Sequence, residues 1–314
     1  MSWDDSDLRG RFSSDSYQTI LEWLSVEDPD TQMCALMELS ETLSYGNDDL
    51  LSSFPLREMT VQMIKILKDD RFEFLQESSS LCISRFLECH TSSTRTLIEN
   101  GALEVVRDKL NSCQSITLLK NLVHACYIVS QYRPDDLGAI VGIQPLLNAI
   151  NFLTSNLADQ RSVAKTISNM TSRTYYDSFA NSVDSLIALM SIGDPAIAQN
   201  CLNAAINIVS QAPINIFTTG GNMAIKTLCS LLPTLHDNIQ IQQVVRFLNR
   251  ISANPEAGRA IIDSGFDFSS LIGSTIMEIV EYDEDEDNGN EEENEAENRE
   301  ETNQAQSSDR NSND

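Results

Sequence analysis

The same helical signature returns six times in this chain, at intervals of 47, 40, 41, 39 and 42 residues. Each copy opens on small or apolar residues and continues with apolar residues at helical spacing. They read ALMELSETL from Ala35, CISRFLECH from Cys82, LVHACYIVS from Leu122, VAKTISNMT from Val163, LNAAINIVS from Leu202 and VVRFLNRIS from Val244. An all-helical period of roughly 40 residues is the mark of an α-solenoid. One such unit cannot bury its apolar face alone, so neighbours must stack and share a continuous core. The class mostly holds other molecules.

The segments between signatures are also patterned. In the third unit LVHACYIVSQY ends at a polar RPDD turn, followed by the short LGAIVG and the medium IQPLLNAINFL. Glycine marks the corner between short and medium helix in several units: Gly101 after Asn100, the Gly220-Gly221 pair, and Gly265. The first unit places Phe54-Pro55 there. The corner glycines are read as a steep helix crossing with no room for a β-carbon, and Asn100-Gly101 as a left-handed turn. Three helices per unit with such a corner is the armadillo pattern. HEAT units have two helices, and tetratricopeptide units repeat at about 34 residues, too short for these intervals. The expected fold is therefore all-α, an armadillo-type α-solenoid wound as a right-handed superhelix of about six repeats.

A first helix is predicted from Tyr17 to Ser25, with Asp28-Pro29-Asp30 restarting the chain. Residues 1–15 read as a disordered leader, 16–280 as the repeat domain, with a capping helix near Ser269–Glu281, and 281–314 as a disordered acidic tail. The tail carries 15 acidic and 2 basic residues, a net of −13 out of −26 for the whole chain. It has too few apolar residues to offset the entropy of ordering. An acidic balance of this size argues against nucleic acid, which needs a basic face, and against an anionic membrane. No apolar run follows a basic start and none approaches the ~18 residues of a membrane span. The expected location is cytoplasm or nucleus.

Catalytic and metal-binding chemistry is not expected. The three histidines, His90, His124 and His236, lie in three different units without triad-like companions. The seven cysteines include no C-x-x-C pair, and Cys34, Cys82, Cys126 and Cys201 fall in or beside apolar stripes. Such cysteines read as small buried hydrophobes in a reducing compartment. Gly220-Gly221 lacks the preceding strand and following Lys of a phosphate loop. No cofactor is expected.

The opening unit, QMCALMELSETLSYGNDDLLSSFPLREMTVQMIKIL, resembles the start of the armadillo region in the HECT-type ubiquitin ligases of the ubiquitin-fusion-degradation pathway. That group includes the thyroid-receptor-interacting ligase and its plant relatives. Leu43, Gly46, Asn47, Asp48, Leu51 and Phe54 carry the likeness. TRTLIENGALEVVRDKL, QRSVAKTISNMTS with Asn169, and DSLIALMSIGDPAIAQNCLNAAINIVS extend it over roughly residues 30–260. The resemblance implies a module recognising substrates or their ubiquitin. The family's transferase activity resides in a HECT domain of several hundred residues, for which a chain ending at Asp314 leaves no room.

Stacking turns one side of the long helices into a groove. The polar positions expected there are Glu38 and Glu41 in the first unit, Arg85 in the second, and His124 and Tyr127 in the third. They continue with Lys165 and Asn169 in the fourth, Asn203 and Asn207 in the fifth, and Arg246, Asn249 and Arg250 in the sixth. An asparagine amide both donates and accepts, so a row of them suits an extended peptide backbone. The expected function is a non-catalytic protein-binding scaffold, resembling the substrate-recognition armadillo region of a HECT ligase. Its partner would be a protein or peptide in the groove, such as a ubiquitinated substrate or a ligase component. The alternative is an armadillo adaptor for nuclear transport or for cytoskeletal and signalling complexes. Recognition of a basic transport signal calls for groove tryptophans, and both tryptophans, Trp3 and Trp23, lie off the groove helices.

Overall fold

The computed structural model describes residues 13–45, 53–89, 93–174, 176–211, 238–253 and 255–265, with isolated positions between 225 and 232. The leader before Ser13, the Gly46-Asn47-Asp48 loop, Gly220-Gly221, the expected capping helix and the acidic tail lie outside them. Every regular element among the described residues is helical. Helix α1 spans Ser14–Ser25, α2 Pro29–Tyr45, α3 Leu56–Lys68, α4 Glu73–Cys89 and α5 Ser93–Glu99. Next come α6 Ala102–Ser112, α7 Ile116–Tyr132, α8 Pro134–Ile140, α9 Gln144–Phe152 and α10 Leu157–Thr171. The series continues with α11 Asp177–Ala180, α12 Val183–Leu189, a 3-10 turn Met190–Ile192, α13 Pro195–Gln211, α14 Asn238–Ile251 and α15 Pro255–Asp263.

The long helices α2, α4, α7, α10, α13 and α14 are the six signature segments, and each contacts the next in order. Helix α7 shows why. Leu118, Leu119, Leu122, Val123, Cys126 and Val129 are all buried, so its apolar surface wraps much of the cylinder. That surface is too wide for one partner and is covered by α4 on one flank and α10 on the other. The shorter helices close the remaining side. Helices α3, α6 and α9 pack against α4, α7 and α10 respectively. This is the all-α armadillo-type solenoid that the period predicts.

Helix starts are set by short polar side chains. Ser13 accepts from the Ser16 amide at 3.2 Å, so α1 begins at Ser14, inside the stretch predicted as a disordered leader. Ser115 caps α7 through Leu118 N at 3.2 Å, and Asn156 caps α10 through Ala158 N at 3.0 Å. Each satisfies a backbone donor that the helix leaves unpaired.

The left-handed turn read from Asn100-Gly101 is what the structure shows, and it extends to the other described corners, where the expected lack of room for a β-carbon is not found. Gly101, Gly142 and Gly265 have φ of +79°, +75° and +69°. A β-carbon on Gly142 or Gly265 would meet nothing within 4 Å, and one on Gly101 would touch only Glu104 Oε2 at 3.7 Å. Space is ample, and the left-handed backbone is what excludes other residues. Gly142→Ala is therefore expected to cost about 1 kcal/mol of stability. Asparagine, which tolerates this region, should recover part of the loss in the same urea titration. A neutral alanine would sink the backbone explanation. Gly138 is the true close approach: its β-carbon would sit 3.0 Å from Tyr176 Cε2 and 3.2 Å from Phe179 Cζ.

One further expectation needs correction. Cys34 is exposed, because it falls on the outer side of α2, while Cys82, Cys126 and Cys201 are buried as predicted. In the fourth unit the short helix shrinks to the four residues of α11, and the positive-φ glycine that follows, Gly193, stands before the long helix α13.

Candidate peptide-binding face

Neighbouring long helices are joined by polar bridges that reach about one unit along the chain. The Arg85 guanidinium on α4 donates to the Ser40 carbonyl on α2 at 2.7 Å. Asn121 on α7 donates to the Glu77 carbonyl at 3.1 Å and to Ser80 Oγ at 3.0 Å, both on α4. His124 Nε2 on α7 lies 2.7 Å from Glu88 Oε1 on α4. Asn169 on α10 donates to Ser130 Oγ on α7 at 3.0 Å. Arg161 on α10 grips Asp194, at the start of α13, with Nη2 at 2.6 Å.

Two clefts open between these bridged helices. The first, about 390 Å³, lies between α2 and α4 and is lined by Met33, Leu36, Met37, Ser40, Glu41, Ser44, Tyr45, Ser78, Leu81 and Arg85. Its walls are largely apolar, and Met37 and Tyr45 are 61% and 52% exposed. The second, about 410 Å³, lies between α7 and α10 and is lined by Tyr127, Ser130, Gln131, Pro134, Lys165, Asn169, Ser172 and Arg173. This wall is polar and bears two cations and no carboxylate.

The residues predicted for the groove divide accordingly. Tyr127, Lys165 and Asn169 line the second cleft together, and Glu41 and Arg85 line the first. His124 stands between the clefts with Glu88, its ring stacked 6.4 Å from that of Tyr127. Glu38 is half-buried on α2 and lines neither cleft. Asn203 and Asn207 are half-buried on α13, where Asn203 Oδ1 accepts from Gln199 Nε2 at 2.9 Å. Arg246 and Asn249 are exposed on α14. The Arg250 side chain lies outside the described residues. The expectation of a row of asparagines facing a ligand meets one complication: the Asn169 amide nitrogen donates to Ser130, holding α10 to α7, while the residue also lines the cleft.

Some cleft residues were missed in the sequence. Met33 and Met37 repeat at helical spacing beside the core stripe of Ala35, Leu36, Leu39 and Leu43, and that second stripe was the available signal. Arg173 falls after the end of α10, in a turn that carries no period.

The thiols of Cys82, Cys126 and Cys201 are pushed up to about 12 by burial, which keeps them protonated and unreactive at neutral pH. Among the described residues no cluster of His, Cys, Asp or Glu is arranged to hold a metal ion, and no helix is long and apolar enough to cross a membrane.

No protein-family model matches the chain. Among curated proteins it is similar to the E3 ubiquitin-protein ligase UPL4 of Arabidopsis thaliana, 21% identical over 192 residues. That match takes in 59% of this chain and 13% of the ligase, so the chain corresponds to a small part of that relative. Among solved structures it resembles computationally designed armadillo repeat proteins for modular peptide recognition. There the TM-score is 0.57 at 18% identity, covering 74% of this chain and 98% of the design. An engineered protein matches with TM-score 0.59 at 21% identity over 84% of this chain and 69% of its own. A designed armadillo protein in complex with the peptide (KR)4 matches with TM-score 0.54 at 17% identity, over 74% of this chain and 98% of its own. These likenesses define the class as an armadillo repeat fold.

Proposed function

We propose that this chain is a non-catalytic scaffold that binds a protein partner through an extended peptide segment laid across the long helices. We further propose that it serves ubiquitin-dependent protein degradation as a recognition module. The observation that carries the first part is the pair of clefts between successive bridged helices, which set polar side chains such as Tyr127 and Asn169 beside apolar and charged ones. The designs of this fold named for peptide recognition support the same reading. The likeness to a plant ubiquitin ligase supports the second part. Buried, protonated thiols at Cys82, Cys126 and Cys201 suit a module that carries no thioester chemistry on those residues.

Panning the full chain against a displayed library of short random peptides tests the first part. Sequences should be enriched whose binding is weakened by Tyr127→Ala/Asn169→Ala. Failure to enrich any sequence, or binding indifferent to that pair, would overturn it. A reporter bearing an enriched sequence should turn over more slowly in cells depleted of the chain. An unchanged half-life would separate binding from degradation and leave the scaffold reading alone.

A further inference from the structure

The two clefts differ in chemistry, and the difference specifies a ligand. Resting on the peptide-scaffold reading, we propose that the partner segment carries an aliphatic or aromatic side chain for the α2/α4 cleft. It would carry a carboxylate side chain, about five or six residues away, for the α7/α10 cleft.

Charge is the first ground. The chain has 47 acidic and 21 basic residues, yet the α7/α10 cleft presents Lys165 and Arg173 and no acid. Among the described residues neither cation has a carboxylate oxygen within 4 Å, whereas nearby Lys120 and Arg161 are paired with Asp159 and Asp194. Arg173 follows the C-terminus of α10, where the helix dipole alone favours a cation. Lys165 sits in mid-helix, so the dipole does not account for it. The Ser130 and Ser172 hydroxyls donate to the Tyr127 and Asn169 carbonyls, both at 2.7 Å, which leaves the Tyr127 hydroxyl as the neutral donor beside the same space. A carboxylate entering there would gain two cations and one phenolic donor without displacing an existing ion pair.

The second ground is exposed apolar surface. Met37 and Tyr45 stand open beside Met33 and Leu81, on an otherwise strongly acidic molecule. This cleft holds one charge of each sign, Glu41 and Arg85, against two cations and no acid in the other, so the two ends of the ligand are not interchangeable.

Spacing follows from helix packing. The cleft centres are two helix steps apart, α2/α4 to α7/α10, or about 16–20 Å at ordinary interaxial distances. An extended chain rises about 3.3 Å per residue, which places the two side chains five or six residues apart.

The test uses the full chain and the peptides enriched from the random library. They should share an apolar position and an Asp or Glu about five or six residues from it. The Lys165→Glu/Arg173→Glu variant should weaken the consensus peptide roughly tenfold, as loss of two exposed charge pairs implies. It should bind better when the acidic residue is replaced by lysine. Met37→Ser should weaken the same peptide regardless of that replacement. Circular dichroism guards against misfolding, and Lys165→Gln/Arg173→Gln provides a milder neutral variant with a smaller loss. If no peptide binds, the scaffold reading fails and this inference with it. If peptides bind but are basic, or tolerate alanine at the acidic position, the scaffold stands and this inference is overturned.

Discussion

Phe86→Ala should be the most damaging single truncation in the N-terminal half, costing about 3–5 kcal/mol. Phe86 is completely buried on α4. Its ring centroid is 5.2 Å from that of Phe54, which lies 5.1 Å and nearly perpendicular to that of Tyr17. Three rings thus tie α1, the Phe54-Pro55 corner and α4 together. Aromatic pairs in such geometry add about 0.5–1.5 kcal/mol beyond the area they bury. Removing the α4 ring leaves a cavity and strips Phe54 of one partner. Urea unfolding followed by far-UV circular dichroism measures the loss. Phe74, on the same helix but 45% exposed, provides the comparison, and its alanine variant should stay within about 0.5 kcal/mol of the parent. Similar losses at both positions would mean that the aromatic chain does not hold these helices.

Asp194 carries the second large effect. Its side chain is 6% exposed on the side-chain scale, receives Arg161 from α10, and accepts from the Ala196 and Ile197 amides at 3.1 and 3.0 Å. One carboxylate therefore caps α13 and joins it to α10. Asp194→Ala is expected to cost about 2 kcal/mol at neutral pH, the upper range for a lost N-cap. The hydrogen bonds from the Arg161 guanidinium, foremost, and from the two amides hold the Asp194 carboxyl below the usual carboxylate range. A group depressed in the folded state contributes stability that is fully present above its unfolded pKa, about 3.9. That contribution is lost as pH falls through the lower folded value. The gap between parent and Asp194→Asn should therefore hold down to about pH 4 and close below it. A gap that stayed constant into stronger acid would show that the ionised form is not what matters.

The period made the fold legible, because burying one stripe of each long helix against two neighbours leaves its imprint on composition at fixed intervals. Pro29 at the first turn of α2 was legible for a similarly local reason. Gly101 and Gly265 were located correctly and Gly101 was read as left-handed, but the steric reason offered for the corners was wrong, since a positive φ and a close approach demand the same residue and only coordinates separate them. Gly138 shows the reverse case, hidden within a helix and forced by Tyr176 and Phe179 from the next unit. The groove was half legible. Helical phase places Tyr127, Lys165 and Asn169 on one face, but phase cannot tell a side chain aimed at a ligand from one reaching sideways. Arg85 and Asn169 reach sideways, to Ser40 and Ser130. Whether such a partner exists depends on a residue some forty positions earlier, outside any window that reads one helix at a time.

Those sideways contacts set the chain apart from a simple concatenation of equivalent parts. An apolar interface accepts any neighbour of suitable shape, but Asn169 needs a hydroxyl at Ser130, and Arg161 needs a carboxylate at Asp194. Each unit is in effect addressed to its predecessor or successor. Excising the unit that holds α7 would bring α10 against α4 and oppose Asn169 with residues that never faced it. Exchanging units would be worse tolerated than substituting within them, and so the order of the repeats, more than their number, is the property this molecule is least able to vary.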